Sequence, residues 1–297
     1  MGLHHKILKE KNWNVDFIKG PLTADQLLPI IDQYNGIICG DDEYNKDVLK
    51  KGFNNKLIGL SKYGVGLDKI DLDYANKIGL KVKNCPGINK STVAEHVFAL
   101  LLSYKKNIHR EFLKTSKGKW PRYLGSEISN SNFGIVGLGN IGKEVAKIAS
   151  AFNCKILCFD KNFDKAFVKK FKIQCFYKIE DFFTKCDIVS LHLNLNQLTR
   201  RIISYDILKN CAKKNLILIN TARGELVDEE GLYDCITEKK IQAYLCDVLS
   251  VEPLSKKNKL YKLKNVIITS HIGSKTYQNI ENQGIMAVEN LNAIFND

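Results

Sequence analysis

The sequence predicts an α/β fold built on parallel sheets and divided into two domains. Three observations carry this expectation. Short apolar runs recur with helix-patterned segments between them, a glycine triplet stands at a strand-to-helix junction near mid-chain, and residues 276–295 place apolar side chains at helical intervals, long enough to return to the first half. The runs are 36–39, 56–60, 80–83, 132–136, 155–159, 188–193, 216–219, 243–245 and 266–269. With 44% hydrophobic and 26% charged residues in 297, and only 20 Gly and 5 Pro, the composition excludes disordered, collagen-like and disulfide-scaffold classes.

Taken in order, the chain opens on a helix-like stretch over 3–11, then 14–18 as a strand. Thr92-Val-Ala-Glu95 reads as a capping box that starts a long helix through Val97, Leu101 and Leu102. Residues 115–132, rich in Gly, Ser, Lys and Asn around Trp120-Pro121, read as an irregular connection before a fresh strand and the helix 143–152. No run approaches the roughly 18 apolar residues that span a bilayer, and residues 1–10 are too charged for a secretion signal. The expectation is a cytoplasmic protein with no membrane partner.

The nine cysteines are scattered, odd in number and never spaced as Cys-x-x-Cys, so they are expected to be reduced core residues, with no metal bound. The net charge of +13 arises from 45 basic against 32 acidic residues, but only five of the basic residues are arginine and the lysines are spread along the chain. That pattern describes a solvated basic surface, not a nucleic-acid reader, so no nucleic-acid partner is expected.

Chemistry concentrates after residue 132. Gly137-x-Gly139-x-x-Gly142, with Asn140 and Ile141 between its last two glycines, closes an apolar strand and is followed by the helix 143–152. The first glycine permits a tight turn, the second lets a pyrophosphate approach the backbone, and the third lets helix pack on strand, with the anion at the helix N-terminus. Asp160 ends the next strand, where a carboxylate accepts hydrogen bonds from an adenosine ribose and repels a 2′-phosphate. Together these favour NAD over NADP, and Lys161 beside Asp160 leaves some NADP tolerance open. Three polar residues follow later apolar runs, where a parallel sheet presents its ligand crevice: Arg223, Glu252 and His271. A guanidinium suits a planar carboxylate. A carboxylate beside an imidazole raises its pKa and fixes its tautomer for proton exchange. His4, His5, His96, His109 and His192 are read as structural.

These motifs, with Asn220-Thr-Ala-Arg223-Gly224, Asp247 through Glu252-Pro253, and Ser270-His271-Ile-Gly273, resemble the signature set of the D-isomer-specific 2-hydroxyacid dehydrogenases. Residues 62–71 and 84–96 resemble the family's substrate-domain loop and first domain crossing. The resemblance implies two Rossmann-like or flavodoxin-like parallel-sheet domains: a central NAD-binding domain, 92–273, inserted in a split substrate domain, 1–91 plus 274–297, with substrate in the cleft between them. It implies Arg223 on the substrate carboxylate, His271 as acid/base, Glu252 supporting it, and Asp247 near the nicotinamide carboxamide. Thr221 and Ala222 join the cofactor residues, and backbone N–H groups around Val65 and Gly66 join the carboxylate site. The implied activity is hydride transfer between NAD and a D-2-hydroxy or 2-keto acid, in a homodimer formed through the NAD domain.

Substrate choice stays open among glyoxylate, hydroxypyruvate and short D-2-hydroxy acids. Lys62 would favour 3-phosphoglycerate if it met a phosphate, and otherwise reads as a solvated lysine. A second function class is an NAD-sensing, corepressor-like module without turnover, and a third is an inactive paralogue. Members of the family usually begin with a strand at the centre of the substrate-domain sheet. The helical opening here leads to the expectation of a start placed downstream, or a shortened gene, and a weakened substrate domain.

Overall fold

The computed structural model describes residues 3–297, which divide into two compact units: those up to 89 together with 275–297, and 90–274. Unit 1 holds α1 (Leu3–Glu10), α2 (Ala24–Leu27), β1 (Gly36–Cys39), α3 (Lys46–Phe53), β2 (Gly59–Lys62), α4 (Leu72–Ile78), β3 (Lys81–Lys83) and the C-terminal helix Tyr277–Asn296. Its three strands are parallel in the order β1-β2-β3. The crossover helices start at side-chain caps. Asn45 accepts from the amides of Asp47 and Val48, and Asp71 accepts from that of Tyr74. The C-terminal helix lies so close on the sheet that a Cβ at Gly59 would sit 2.7 Å from Ile294, and Ser61 Oγ donates to Ala287 O at 2.7 Å.

Unit 2 contains α5 (Lys90–Lys105), α6 (Ile108–Thr115), β4 (Asn132–Val136), α7 (Asn140–Ala151), β5 (Lys155–Phe159), α8 (Lys165–Phe171), β6 (Gln174–Phe176), α9 (Ile179–Phe183), β7 (Ile188–Leu191), β8 (Ile217–Asn220), α10 (Glu229–Thr237), β9 (Ala243–Cys246) and β10 (Val266–Ile268). Its seven strands are all parallel, in the order β10-β9-β8-β7-β4-β5-β6. Connections leave β4 in one direction and β7 in the other, so the order reverses between them, at the place where such sheets bind ligands. Apolar side chains cover both faces. Phe133, Ile135, Ile217 and Ile219 enter one core, and Val136, Leu216 and Leu218 the other. This two-sided burial is why the strands read as continuous apolar runs instead of alternating ones.

The structure corrects several expectations. Residues 14–18 form no strand: Phe17 is 74% exposed, and the segment is held by side chains, with Trp13 edge-on to Phe295 and Tyr34 donating to Asp16. Strand β2 begins later than the run 56–60, because the amides of Asn55, Lys56 and Leu57 all turn onto Gly52 O at the end of α3. Thr92 and Glu95 do not cap α5. The chain enters that helix from a turn over 86–89, so both residues already lie inside it. The short, partly exposed edge strand β6 had no apolar run to announce it. All nine cysteines are unbridged and seven are buried. Among the described residues no helix is long and apolar enough to cross a membrane. The side chain of His4 lies outside the described ones.

Candidate active site

The β4–α7 junction shows three glycines kept for three different physical reasons. Gly137 has φ 97°, and a Cβ there would stand 2.7 Å from His192 O, so the turn requires glycine twice over. A Cβ on Gly142 would lie 2.0 Å from Gly137 O, so the helix rests directly on the turn. Gly139 differs: its φ of −74° suits any residue, and a Cβ would meet nothing within 4 Å. The space in front of Gly139 is therefore open, and the amides of Asn140, Ile141 and Gly142 precede the first helical hydrogen bond, Lys143 N–H to Gly139 O. Asp160 Oδ2 accepts the Leu138 amide at 2.6 Å, which ties the end of β5 to this loop. Thr221, just past β8, has a buried hydroxyl with no partner among the described residues. An open loop of amides, a carboxylate at the next strand end and an orphaned buried hydroxyl fit a bound dinucleotide.

The other predicted residues of unit 2 stand past the C-terminal ends of neighbouring strands. Asn220, fully buried at the end of β8, donates to Arg223 O at 2.8 Å and accepts from the Ala222 amide at 3.1 Å, which shapes the turn that carries Arg223. A Cβ on Gly224 would lie 1.9 Å from Leu249 C, so the segment after β9 runs directly against that turn. This segment carries Glu252. Its Oε1 accepts the Leu249 amide at 2.9 Å, and its Oε2 lies 2.8 Å from His271 Nδ1. Glu229, at the start of α10, holds the same segment by accepting from the Ser250 amide at 2.7 Å and Ser250 Oγ at 2.8 Å.

His271 sits at φ 57°, a left-handed conformation that costs a non-glycine residue unless its surroundings impose it. Asp247, 2% exposed, imposes it. Its backbone O accepts the His271 amide at 2.9 Å, and its carboxylate accepts the amides of Ile272 at 2.9 Å and Gly273 at 2.7 Å, as well as Thr269 Oγ at 2.5 Å. His96 Nε2, from α5, completes the set at 3.3 Å from Asp247 Oδ1 and 3.0 Å from Thr269 Oγ. Sequence reasoning grouped His96 with the structural histidines. Nothing in its neighbourhood along the chain signals a contact with residues 150 or more positions away.

The electrostatics follow the same contacts. The Glu252 hydrogen bond raises the His271 pKa above its ordinary value against burial, and the nearby Arg223 charge opposes it. Burial works against ionisation of Glu252, but its bonds to His271 and the Leu249 amide prevail and hold the carboxyl below its usual range. Burial likewise opposes ionisation of Asp247, and the contacts from His96, Thr269, Ile272 and Gly273 outweigh it. An ionised carboxylate only accepts, so the Glu252 contact places a proton on His271 Nδ1 and leaves Nε2 as the atom that takes up or releases one.

The remaining predicted residues belong to unit 1. Val65 and Gly66 follow β2, where Asn84 Nδ2 donates to Val65 O at 2.7 Å and Gly64 takes φ 143°. Lys62 is not a solvated lysine. Its side chain is 5% exposed, with Nζ on Gly40 O and 2.6 Å from Asp41 Oδ1.

Residues 98–273 match the family model described as D-isomer specific 2-hydroxyacid dehydrogenase, NAD binding domain. The chain is 34% identical over 275 residues to a hydroxypyruvate reductase of Thermotoga maritima, a match covering 91% of this chain and 88% of the relative. It is 33% identical over 292 residues to a D-3-phosphoglycerate dehydrogenase of Methanocaldococcus jannaschii, covering 97% of this chain but only 55% of that one. The crystal structure of TT0316 protein from Thermus thermophilus superposes with a TM-score of 0.89 at 29% identity, over 99% of this chain and 94% of that one. Sequence, fold and site agree: the chain belongs to the D-isomer specific 2-hydroxyacid dehydrogenases, and its second unit is their NAD-binding Rossmann domain.

Proposed function

We propose that this NAD-dependent oxidoreductase reduces a short 2-keto acid to the D-2-hydroxy acid, and reverses the step when substrate and product levels favour it. The observation that carries the proposal is the His271–Glu252 pair at 2.8 Å, which leaves Nε2 as the exchangeable proton site with the Arg223 charge acting on the same imidazole. Bound NAD supplies hydride exchange at its nicotinamide ring. His271, protonated, gives its Nε2 proton to the 2-oxygen as the keto carbon is reduced, and in the other direction it takes that proton back. Arg223 holds the substrate carboxylate, a planar anion suited to a guanidinium, and the amides of Val65 and Gly66 are assigned as further carboxylate donors. Gly137, Gly139, Asn140, Ile141 and Gly142 receive the pyrophosphate, Asp160 the ribose, and Thr221, Ala222 and Asp247 the nicotinamide end.

One observation favours a small substrate such as hydroxypyruvate or glyoxylate over 3-phosphoglycerate: the Lys62 ammonium is already paired with Asp41. Nine unbridged cysteines suit a reducing cytoplasm. Exposed Ile108, Phe112 and Leu113 on α6, with Trp120 and Leu124 after it, support a homodimer formed through unit 2, which light scattering tests.

The test is NADH oxidation at 340 nm with glyoxylate, hydroxypyruvate, pyruvate and 3-phosphohydroxypyruvate. Turnover is expected with one of the first three. Arg223→Ala should lose keto-acid affinity while NADH still binds, and His271→Ala should lower kcat more than it raises KM. NADH binding without turnover on any keto acid, or two variants with unchanged kinetics, refutes the proposal.

A further inference from the structure

We infer that His96 is a positioning residue for this site: its Nε2–H fixes Asp247 and Thr269, and through them the backbone on which His271 stands. His96 lies on α5, remote in sequence from the strand-end loops it touches, and its side chain is 16% exposed. Its Nε2 is 3.0 Å from Thr269 Oγ and 3.3 Å from Asp247 Oδ1. Donor and acceptor roles follow by elimination. Thr269 has one hydroxyl proton, and its shortest contact, 2.5 Å, is to Asp247 Oδ1, a carboxylate oxygen that only accepts. Nε2 must therefore donate, so His96 carries its proton there whether or not Nδ1 is also protonated.

The consequence is geometric. Asp247 Oδ1 receives three donors, from His96, Thr269 and the Ile272 amide, and Oδ2 receives the Gly273 amide at 2.7 Å. The amides of residues 271–273 thus converge on one aspartate, and the convergence holds His271 at φ 57°. Of those donors only His96 comes from outside the β9 and β10 ends, so it locks the aspartate's rotamer against a second element. Packing leaves little play: a Cβ on Gly273 would stand 2.8 Å from Asp247 Oδ2 and 3.3 Å from His96 Cδ2. Without the Nε2 donor the carboxylate can rotate, the 269–273 loop relaxes, and the His271–Glu252 bond loses its register.

The inference rests on His271 being the proton carrier, so its test includes a readout that needs neither substrate nor cofactor. His96→Ala and His96→Gln are compared with the unsubstituted protein, since the glutamine amide offers an N–H near the place of Nε2–H. In His96→Ala kcat should fall about tenfold, a fraction of the ~10²-fold that a 1 Å misplacement costs, with NADH affinity within about twofold by fluorescence titration. The high-pH limb set by His271 should also move to lower pH as Glu252 loosens its hold. His96→Gln should recover most of kcat and the limb. In 15N-labelled protein free of ligands, the His96 imidazole should show Nε2 protonated, and the His271 titration should move down in His96→Ala but not in His96→Gln.

Unchanged kcat and titration in His96→Ala, or a His96→Gln variant as impaired as alanine, overturns the inference, as does an unprotonated His96 Nε2. If the unsubstituted protein turns over no keto acid, the functional proposal fails on its own, and the His271 titrations still decide the role of His96. Should the alanine variant not fold, the tautomer signal and the glutamine variant decide it.

Discussion

Gly139 and Gly142 lie three residues apart in one loop, and the structure separates what an added methyl does at each. At Gly142 the methyl would sit 2.0 Å from Gly137 O, about 1 Å inside the closest tolerable contact, so α7 must lift off the turn. Overpacking of this kind costs about 1–3 kcal/mol, which lowers the melting temperature by roughly 2–12 °C at 2–4 °C per kcal/mol. At Gly139 the backbone is already in a region open to alanine, and the methyl meets nothing within 4 Å. Gly139→Ala should therefore melt within about a degree of the unsubstituted protein. Its methyl would occupy the proposed approach of the pyrophosphate to the α7 amides, where each hydrogen bond to a charged group is worth about 1.5–3 kcal/mol. Losing one weakens NADH binding about 10- to 100-fold. Thermal melts and NADH fluorescence titrations on both variants separate the two effects. If Gly139→Ala binds NADH as tightly as the unsubstituted protein, the assignment of this loop to the pyrophosphate is wrong.

Two further outcomes follow from the same contacts. The Glu252 bond raises the His271 pKa, so keto-acid reduction by the proposed route, which needs the protonated imidazole, should be fast below that raised value and decline as pH rises through it. Glu252→Gln should move this limb to lower pH and slow reduction at neutral pH, and a limb that stays in place would dissociate Glu252 from His271. Asp160→Ala removes the carboxylate that would repel a 2′-phosphate, along with the 2.6 Å bond to Leu138. The ratio of kcat/KM for NADH to that for NADPH should drop by about tenfold, the order expected for one charged contact. An unchanged ratio would assign cofactor choice elsewhere.

What could be seen in the sequence divides along physical lines. β4 and β5 were legible to the residue because central parallel strands are buried on both faces, and their apolar runs stop where burial stops. The edge strand β6 was not, since three partly exposed residues leave no pattern. Residues 14–18 misled for the opposite reason: apolar and β-branched side chains were present, but a strand also needs a neighbour to pair with, and that is a tertiary fact. Thr92 and Glu95 have the spacing of a capping box inside a helix that had already begun. At the site, Arg223, Glu252 and His271 were readable because each follows an apolar run, which in a parallel sheet sends its residue to the ligand edge. His96 and Glu229 were not, because their partners are 151 positions along the chain for His96 and Asp247, and 21 for Glu229 and Ser250. Lys62 shows the converse limit, since its residue type suggested a free cation and only folding revealed Asp41.

The same division explains why His271, the proposed acid/base, needs so much support. An acid/base at the tip of a loop has to reach solvent and substrate, and His271 is accordingly 41% exposed. Exposure alone would leave its ring free to turn, which spreads the proton over orientations that do no chemistry. The structure separates these demands between two carboxylates. Glu252, on the half-exposed side, touches the ring and sets its tautomer, while Asp247, 2% exposed, holds the backbone amides of residues 271–273 and sets where the ring begins. The cost of burying the second charge is offset by its amide, hydroxyl and imidazole donors, so its ionised form persists in the interior. A residue that must be mobile in protonation is thereby held by one that is fixed in both charge and place, and Asp247 should contribute to rate even though it transfers no proton.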